Sequence, residues 1–390
     1  VVDGASDARL AGRPGAISRA QNAGRADRSP CERRPDTVGI THVREPIFDE
    51  RRGKEMNTRL LDALCCSSCK KALRVIDFSG QGAPAGARRV KDGVLLCDSC
   101  KTWYPIYSCV PVMLAFHTGF AGWFGRKFES ELRALPEYHP PEGKPKLGER
   151  GIQDTFTEEW EQSLEDSLSF TYTQEDLVEL NRQVWLKWTE KSKESINSVL
   201  EVGCGLGNES FALHALLPNA DIFAVDLNLQ LFKSKLVQTA DTNVHFVICS
   251  LFSLPFRHSS FDLVYSQGVI HHTYSTVEAF TAIASYVRNG ASLFVWVYGL
   301  DDHLVLRGAK GFATRALWLM DHMVRPIICR APRAIRSLMF GVLTLLLHPL
   351  VRMRIRHKGK WKLENTNHGL RDLLSHRYAH RHSYNEVMEW

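Results

Sequence analysis

The chain has 390 residues, a formal net charge of +6 and an apolar fraction of 44%, which fits a globular protein of two or three domains. Residues 303–382 alone hold 16 lysines and arginines against 3 acidic residues, so this segment carries a net charge of +13 and the rest of the chain −7. This distribution excludes a uniformly basic protein. The ten cysteines occur without a secretion signal, which indicates a reducing, cytoplasmic compartment and argues against a disulfide-rich secreted protein.

The first segment, residues 1–55, is rich in Arg, Ala, Gly and Asp and has almost no apolar periodicity. This composition predicts disorder. The first methionine is Met56, directly before a cysteine-rich segment, so we expect residues 1–55 to lie upstream of the true start. A transit peptide is the alternative, and nine acidic residues in the segment argue against it.

Two CxxC pairs follow within residues 56–116. They are Cys66 with Cys69 and Cys97 with Cys100, and 27 residues separate them. A two-residue gap lets both sulfurs of a pair turn toward one ion, so the two pairs predict a tetrahedral, structural zinc site. A loop over 80–87, GQGAPAGA, accommodates the long middle gap. Disulfide pairing is the alternative, and the reducing compartment argues against it.

This segment resembles the small zinc-ribbon proteins that activate tRNA and protein methyltransferases. Their pattern is a CPxC pair, a second CxxC pair and a YPI..GIPVML tail, and the chain has YPIYSCVPVML at the corresponding place. The resemblance implies that Cys66 is the first ligand and that Cys65 is not one. The chain departs from the pattern at Ser67, in place of proline, and at Cys109, in place of glycine, and neither change removes a ligand.

Residues 117–189 are interpreted as a linker with lid helices. GIQDTFTEEW, over 151–160, is predicted to be a loop, and the stretch 169–188 a long helix before the first core strand. In zinc-ribbon methyltransferases that the chain resembles, an F..EW segment of this kind covers the cofactor. The resemblance makes Phe156, Trp160 and Tyr172 candidate lid residues, with ordinary packing as the alternative.

The core, residues 190–300, begins with an apolar strand that leads into the turn VLEVGCGLGNES. The pattern ExGxGxG is formed by Glu201, Gly203, Gly205 and Gly207. Glycines at alternate positions let the backbone approach a ligand closely, and the helix that follows directs its free N–H groups at that ligand. The turn therefore predicts an adenosine pocket. A dinucleotide fold is the alternative, but its GxGxxG pattern would need a glycine at Asn208.

Strands and helices alternate after this turn. A second strand ends at Asp226, a third covers 243–249, a fourth runs from Phe261 into Gly268, and a helix over 276–288 precedes a fifth strand, ASLFVWVYG. This alternation predicts an α/β fold with a doubly wound, mostly parallel sheet. An acidic side chain at the end of the second strand is well placed to accept hydrogen bonds from ribose hydroxyls.

The segment from about 198 to 300 resembles a class I S-adenosylmethionine-dependent methyltransferase of the type 11 group, which includes the ubiquinone and menaquinone C-methyltransferases. The matching stretches are VLEVGCGLGNES, AVDLN, SLPF, FDLVYSQGVIHHT and SLFVWVYG. The resemblance implies S-adenosyl-L-methionine as cofactor. It places the methionine part of the cofactor at the ExGxGxG turn and the ribose at Asp226. Where the family has an aspartate for the adenine amino group, the chain has Ser250. The predicted cofactor set is completed by Cys204, Leu227, Leu251 and Gln267.

A base is optional for this chemistry, because the sulfonium is already activated and the transfer mainly needs alignment with the acceptor. A hydroxyl or an acidic carbon as acceptor would benefit from one. His271 and His272, which follow the fourth strand, are the candidate bases. Capping of the strand or lining of the pocket is the alternative. Cys204 is interpreted as a space-filling side chain rather than a nucleophile.

A basic helical insertion, residues 301–382, is predicted after the fifth strand. It contains the apolar run SLMFGVLTLLLHPLV, over 337–351, followed by RMRIRHKGK. This run is short for a membrane span, which needs about 20 apolar residues. A helix on an anionic membrane surface, within 303–360, fits better and predicts peripheral contact at the inner membrane face. A cap over the active site and contact with RNA are the alternatives, and the lack of interleaved aromatic residues disfavours RNA.

The last segment, residues 383–390, is predicted to begin a C-terminal core helix of a truncated fold, which leaves the edge at 292–298 unpaired. Three hypotheses for function follow. The first is methyl transfer to a small-molecule or lipid-like intermediate, whose acceptor atom the sequence does not identify. The second is methylation of RNA or of a translation protein, with the zinc ribbon as an activator in cis. The third is an inactive scaffold that binds S-adenosylmethionine.

Overall fold

The computed structural model describes residues 58–78, 90–163, 172–187, 193–234, 237, 243–300, 322–354 and 362–390, which belong to one compact unit. Three predictions lie outside this part of the chain. They concern the tail 1–55, the loop 80–87 and most of the basic stretches at 303–321 and 355–361. The predicted domain boundaries and these three predictions therefore stay predictions.

The secondary structure follows the α/β alternation expected of the core. In chain order the strands are β1 (Arg74–Asp77), β2 (Gly93–Cys97), β3 (Thr102–Tyr107), β4 (Val110–Pro111), β5 (Ser198–Val202), β6 (Asp221–Asp226), β7 (Val244–Ile248), β8 (Phe261–Gln267) and β9 (Val287–Trp296). The helices are α1 (Thr58–Ala63), α2 (Gly119–Lys127), α3 (Glu129–Arg133), α4 (Glu149–Ser163), α5 (Gln174–Leu180), α6 (Asn208–Leu216), α7 (Thr276–Ala284), α8 (Arg333–Arg354), α9 (Leu363–Leu374) and α10 (Tyr384–Met388). A further helical stretch covers 322–328.

The core sheet has five parallel strands in the order β7-β6-β5-β8-β9. The central strand β5 is almost wholly buried, as expected where helices cover both faces of a parallel sheet. The order reverses direction between β5 and β8, and this is the point at which open α/β sheets bind ligands. The predicted fold class is confirmed.

The N-terminal segment forms a four-stranded antiparallel sheet, β1-β2-β3-β4, that continues into the core. Val112 makes a parallel bridge to Ile248, the last residue of β7, and the Met113 amide donates to the Ile248 carbonyl over 2.7 Å. The Cys65 amide donates to the Pro255 carbonyl over 2.8 Å. The ribbon therefore covers the β7 edge of the core sheet and contacts the loop after it.

Helix α4 corrects the loop predicted over 151–160. Ile152, Phe156 and Trp160 are spaced four residues apart, so an α-helix brings all three to one face, where they line a cavity. The long helix predicted over 169–188 is also wrong in length. Within the described residues 172–187, the α-helix covers Gln174–Leu180, and a π-helical turn over Asn181–Trp185 follows it.

The fifth core strand begins earlier than predicted, at Val287, and the helix before it ends at Ala284 rather than at 288. The Tyr286 carbonyl accepts hydrogen bonds from the amides of Ser260 and Phe261, both over 3.1 Å, which draws the chain into the sheet. Strand β9 is an edge strand of the described sheet.

The helices after β9 pack against one another and against α4. Phe340 of α8 is fully buried in a small cluster with Ile328 and Leu374. The Arg336 guanidinium contacts the Glu158 carboxylate of α4, a buried side chain. None of the helices in the described residues combines the length and apolar content that a membrane crossing requires. The C-terminal helix α10 begins after Ser383, whose hydroxyl accepts from the Glu386 amide over 3.2 Å.

Candidate functional site

The glycine turn after β5 has a backbone that only glycine adopts easily. The φ angles of Gly203 and Gly205 are +85° and +59°. A Cβ at Gly203 would lie 2.1 Å from a methyl carbon of Val269, and a Cβ at Gly205 would lie 2.9 Å from the Trp160 ring. The turn is therefore in close contact with the end of β8 on one side and with α4 on the other.

Asp226 fixes this turn from the end of β6. Its Oδ2 accepts from the Gly205 amide over 2.7 Å, and its Oδ1 accepts from the Asn228 amide over 2.8 Å. The Asn228 side-chain amide also donates to the Gly205 carbonyl over 3.1 Å. Burial raises the pKa of Asp226, and these donors oppose the rise. The carboxylate is thus held at the carboxyl ends of the strands, beside the turn.

A cavity of about 180 Å³ lies beside the contact between the turn and α4 and is lined by residues of the turn, α4 and α9. Eight of the predicted cofactor and catalytic residues line it, namely Gly203, Gly205, Asp226, Leu227, Ser250, Leu251, Gln267 and His272. Two of the three candidate lid residues, Phe156 and Trp160, line it from the opposite side. These residues come from five separate segments of the chain.

Other predicted residues lie outside the lining of this cavity, namely Glu201, Cys204, Gly207, His271 and Tyr172. Burial raises the pKa of Glu201 to about 8, and a hydrogen bond with Ser210 opposes the rise. Burial also raises the pKa of the Cys204 thiol well above its ordinary value. Both groups are therefore uncharged near neutral pH.

The chain has Ser250 where the family pattern has an aspartate, and the structure places the carboxyl group of Glu149 close to this serine. The Ser250 hydroxyl accepts from the Phe252 amide over 3.1 Å. Glu149, at the start of α4, is buried, lines the same cavity and accepts from the Lys146 amide over 2.7 Å. Burial raises the pKa of Glu149, and a hydrogen bond with Ser250 opposes the rise. The sequence prediction missed this residue, because it lies about a hundred positions before Ser250.

The two histidines after β8 differ in their surroundings. Both are buried, but only His272 lines the cavity. Its Nδ1–H donates to the Tyr378 carbonyl over 2.9 Å, and its Nε2 lies 3.7 Å from an oxygen of Asp372. Burial lowers the pKa of His272 to about 4 and that of His271 well below its ordinary value. His272 is therefore a neutral imidazole at the cavity wall.

Side chains from α4 and α9 complete the wall near His272. Glu159 lies 2.9 Å from the His376 Nε2 and 3.1 Å from the His368 Nδ1, and the Tyr298 hydroxyl donates to Asp372 over 2.8 Å. The sequence prediction missed this cluster. Its signal is HGLRDLLSH, in which a histidine, an aspartate and a histidine are spaced four residues apart and so share one helix face.

The four predicted zinc ligands form one cluster of free thiols in the ribbon. All four sulfurs lie within 4.8 Å of one another, with Cys66–Cys100 at 3.9 Å and Cys69–Cys97 at 3.5 Å. Tetrahedral zinc with bonds of about 2.3 Å sets such sulfurs roughly 3.8 Å apart, so the cluster fits the ion. Cys65 is not part of it, as expected.

Cys109, which stands where the ribbon pattern has glycine, has an unusual backbone conformation. Its φ is +64°, in the left-handed region where glycine is favoured. This explains why the pattern has glycine at the position. Cys109 adopts the same conformation, and its amide donates to the Lys91 carbonyl over 2.8 Å.

Comparisons with known proteins agree with the predictions for the ribbon segment and for the core. Residues 200–295 match the family described as methyltransferase domain, and residues 57–107 match the family described as Trm112p-like protein. An uncharacterized protein from Synechococcus sp. is 29% identical over 104 residues, which are 26% of this chain and 25% of that protein. The match therefore spans about a quarter of the length of this curated relative.

Two solved structures illustrate the similarity. One is the phosphoethanolamine N-methyltransferase 2 of Haemonchus contortus with phosphomonomethylethanolamine and S-adenosylhomocysteine, at 18% identity over 37% of this chain and 36% of that chain, with a TM-score of 0.29. The other is the complex of the Haloferax volcanii Trm112 methyltransferase activator with a putative methyltransferase, at 18% identity over 32% of this chain and 59% of that chain, with a TM-score of 0.25. One polypeptide therefore contains a segment that matches the Trm112p-like family and holds the four clustered thiols, and a later segment that matches the methyltransferase-domain family.

Proposed function

We propose that the protein is an S-adenosylmethionine-dependent methyltransferase whose acceptor is a small molecule or a lipid-like intermediate bound in the cavity under α4 and α9. The observation that carries this proposal is the composition of the cavity wall. One side consists of the glycine turn and Asp226, and the other side carries Glu159, His272 and Asp372. A cofactor on the first side and a polar acceptor on the second would meet inside one cavity.

In this proposal the cofactor supplies an activated methyl group, and the protein aligns donor and acceptor. The backbone at Gly203 and Gly205 would hold the methionine part of the cofactor, and Asp226 would accept from the ribose hydroxyls. Phe156 and Trp160 cover the opposite side of the cavity and would exclude water from the reacting groups.

We also propose that Glu149 supplies the carboxylate that the family has at position 250. Its buried side chain is coupled to Ser250 by a hydrogen bond and lines the cavity beside Leu251 and Phe252. A carboxylate there is a stronger acceptor for the adenine amino group than a serine hydroxyl is. The lid helix would then take part in cofactor binding.

Of the two candidate histidines, His272 is the one that would face the acceptor. Its protonated Nδ1 is committed to a main-chain carbonyl, so its unprotonated Nε2 is directed at the cavity wall. His271 is buried away from the cavity, which supports a packing role against Tyr298, whose ring centroid lies 4.0 Å away.

A small acceptor is favoured over RNA or protein by the burial of the acceptor side. Glu159 is 3% exposed and His376 is fully buried, and the Glu158–Arg336 contact ties α4 to α8 above them. The second candidate, methylation of RNA or of a translation protein, is supported by the Trm112p-like match and by the contacts of the ribbon with the loop after β7. In that case the ribbon would act as an activator in cis.

The test is methyl transfer from tritiated S-adenosylmethionine to a cell extract that is then separated into lipid, small-molecule, RNA and protein fractions. We expect label in the small-molecule or lipid fraction, and loss of that label with Asp226→Asn. Label in RNA or protein would support the second candidate. Cofactor binding by calorimetry without label in any fraction would support an inactive scaffold.

The proposed acceptor class includes lipids because α8 has an exposed apolar face. The residues on this face, Ile335, Leu338, Val342, Leu345 and Leu346, are between 49% and 69% exposed. The sequence continues into the basic stretch RMRIRHKGK, so we propose that α8 lies on an anionic membrane surface.

Flotation with vesicles of anionic or neutral lipid tests this contact. We expect the protein to float with anionic vesicles only, and the double variant Leu338→Glu, Leu345→Glu to lose this binding. Val184→Glu, at a side chain that is 49% exposed outside α8, is the matched control. Equal recovery of the wild type with both vesicles, or with neither, would overturn the membrane proposal.

A further inference from the structure

We infer that Glu159, Asp372 and His376 form a second metal site, which holds one divalent transition-metal ion at the acceptor side of the cavity, with His272 as a fourth ligand. The carboxylate oxygens of Glu159 and Asp372 and a ring nitrogen of His376 all lie within 4.8 Å of one another. They come from α4, α9 and the segment after α9. This cluster is separate from the four thiols of the ribbon.

The proton positions at His376 favour an ion. The Thr155 hydroxyl donates to main-chain oxygens of its own helix at Gly151 and Ile152, so its oxygen is free to accept from the His376 Nδ1–H, 3.0 Å away. The His376 Nε2 of a neutral ring then carries a lone pair, and it lies 2.9 Å from a carboxylate oxygen of Glu159. Two acceptor atoms at this distance require a proton or a cation between them.

His272 has the same arrangement of ring protons as His376, with Asp372 as the nearby carboxylate. A main-chain carbonyl can only accept, so the contact with the Tyr378 oxygen assigns the ring proton to Nδ1. The Nε2 of His272 is buried, has no hydrogen-bond partner among the described residues and lies 3.7 Å from the Asp372 Oδ1. An unpartnered, nine-tenths buried lone pair directed at a carboxylate is the arrangement that a bound cation would explain.

The surrounding groups are those that support metal ligands. Histidine ligands usually donate their second ring N–H to a carbonyl, a carboxylate or another oxygen, as both histidines do here. The Tyr298 hydroxyl donates to the second oxygen of Asp372 over 2.8 Å, which orients that carboxylate. The nearby arginines Arg336 and Arg371 contact Glu158, the neighbour of Glu159, and the charge of Arg371 also acts on Glu159.

The ligand set indicates the class of ion. Two carboxylates and two imidazoles suit Mn²⁺, Fe²⁺ or Zn²⁺, whereas the four thiolates of the ribbon select zinc. Four protein ligands in an open cavity leave positions for a further oxygen ligand. If the proposed function is right, that ligand is a hydroxyl of the acceptor, whose pKa the ion would lower. The metal site itself does not depend on methyl transfer.

The test uses the full chain with zinc in its ribbon, and Mn²⁺ as the probe, because thiolates bind Mn²⁺ poorly. Loss of the signal of free Mn²⁺ in electron paramagnetic resonance measures binding without any assay of activity. We expect one Mn²⁺ per chain in the wild type, and at least tenfold weaker binding in Glu159→Gln and in Asp372→Asn. Glu161→Gln, at a partly exposed carboxylate of the same helix that pairs with Arg333, is the matched control, and we expect it to keep the wild-type affinity.

A milder variant covers the case in which removal of a buried ligand unfolds the chain. Tyr298→Phe keeps every ligand and removes only the hydrogen bond to Asp372, so we expect about tenfold weaker Mn²⁺ binding. Calorimetry on the same samples measures their affinity for S-adenosylmethionine. No Mn²⁺ bound by a wild type that binds the cofactor, or equal affinity in all the variants, would overturn the metal site and leave the proposed function standing.

Discussion

The two sides of the cavity are built in different ways. The cofactor side is formed by the turns after β5, β6 and β7, so its groups lie close together in the sequence. The main-chain amides of Gly205 and Asn228 donate hydrogen bonds to the Asp226 carboxylate and hold it in place. The acceptor side is formed by side chains from α4 and α9, more than two hundred residues apart. The comparison teaches that one wall of a cavity can be built from a short local pattern while the opposite wall is assembled from remote segments.

The ribbon supports the cofactor side, and removal of its metal should have the largest effect. In Cys66→Ser the chain loses a zinc ligand, so we expect loss of the zinc and unfolding of the ribbon. The Met113 and Cys65 amides would then release the loop after β7, which should weaken cofactor binding. Zinc content, thermal unfolding and calorimetry measure these effects.

The matched control for this prediction is the adjacent residue. Cys65 is buried as well, but its thiol lies outside the cluster of four. We expect Cys65→Ser to keep one zinc per chain and to bind the cofactor like the wild type. Equal loss of zinc in both variants would contradict the assignment of Cys66 as a ligand.

Gly205 is the point at which the two sides touch, so its substitution tests both. In Gly205→Ala the new methyl group would lie 2.9 Å from the Trp160 ring and would force the lid residue to move. We expect cofactor affinity to fall by about tenfold or more, measured by calorimetry, because the backbone can no longer approach the ligand.

Gly290→Ala separates this effect from backbone strain. Gly290 also has a positive φ, +72°, but a Cβ there would meet nothing within 4 Å. Both variants should lose roughly 1–2 kcal/mol of stability from the left-handed conformation, and only Gly205→Ala should lose cofactor affinity. An equal loss of affinity in both would argue against a close approach at Gly205.

Glu149 belongs to the lid helix α4 but is proposed to bind the cofactor, so its substitution tests whether the two sides of the cavity are separate. We expect Glu149→Gln to weaken S-adenosylmethionine binding by about tenfold through loss of a charge-assisted hydrogen bond to adenine. Ser250→Ala should have a smaller effect. If Ser250→Ala weakens binding more than Glu149→Gln does, the adenine contact belongs to Ser250 as the family resemblance first implied.

The smallest expected effect on cofactor binding concerns Glu201, which lies outside the lining of the cavity. Its pKa rises from 4.5 to about 8 on burial, so the folded chain binds more protons than the unfolded chain between these values. The stability that this group contributes is therefore complete below about pH 4.5 and is lost as the pH rises through about 8. In Glu201→Gln the free energy of unfolding should fall less over this range than in the wild type, by up to about 5 kcal/mol, because each pKa unit corresponds to about 1.4 kcal/mol. If urea unfolding gives the same pH dependence of the free energy of unfolding for the two proteins, the prediction is contradicted.

The predictability of the two sides follows from how they are built. The glycine turn, Asp226 and the four zinc ligands belong to short local patterns whose spacing has a direct geometric meaning, so the sequence was enough to predict their positions. Strand β9 was misjudged at its start because the pairing of Tyr286 with β8 is a tertiary contact. The helical period of Ile152, Phe156 and Trp160 was visible in the sequence, but the segment was interpreted as a loop.

The acceptor side could not be predicted for a physical reason. Glu159 and Asp372 each look like an ordinary polar residue in their own segment, and only the packing of α9 on α4 brings them to His272, which the sequence had singled out. The spacing of His368, Asp372 and His376 indicated a shared helix face, but not the carboxylate opposite it. Local patterns therefore predicted the cofactor side, and the tertiary structure was needed for the rest.

The central claim is that S-adenosylmethionine binds between the glycine turn and the lid helix, with its ribose on Asp226. Isothermal calorimetry of the full chain with S-adenosylmethionine, in the wild type and in Asp226→Asn, tests it most directly. The account predicts one binding site per chain in the wild type and an affinity about tenfold or more lower in Asp226→Asn, because an amide is a weaker acceptor for ribose hydroxyls than a carboxylate. No binding by the folded wild type, or equal affinity in the two proteins, would contradict it.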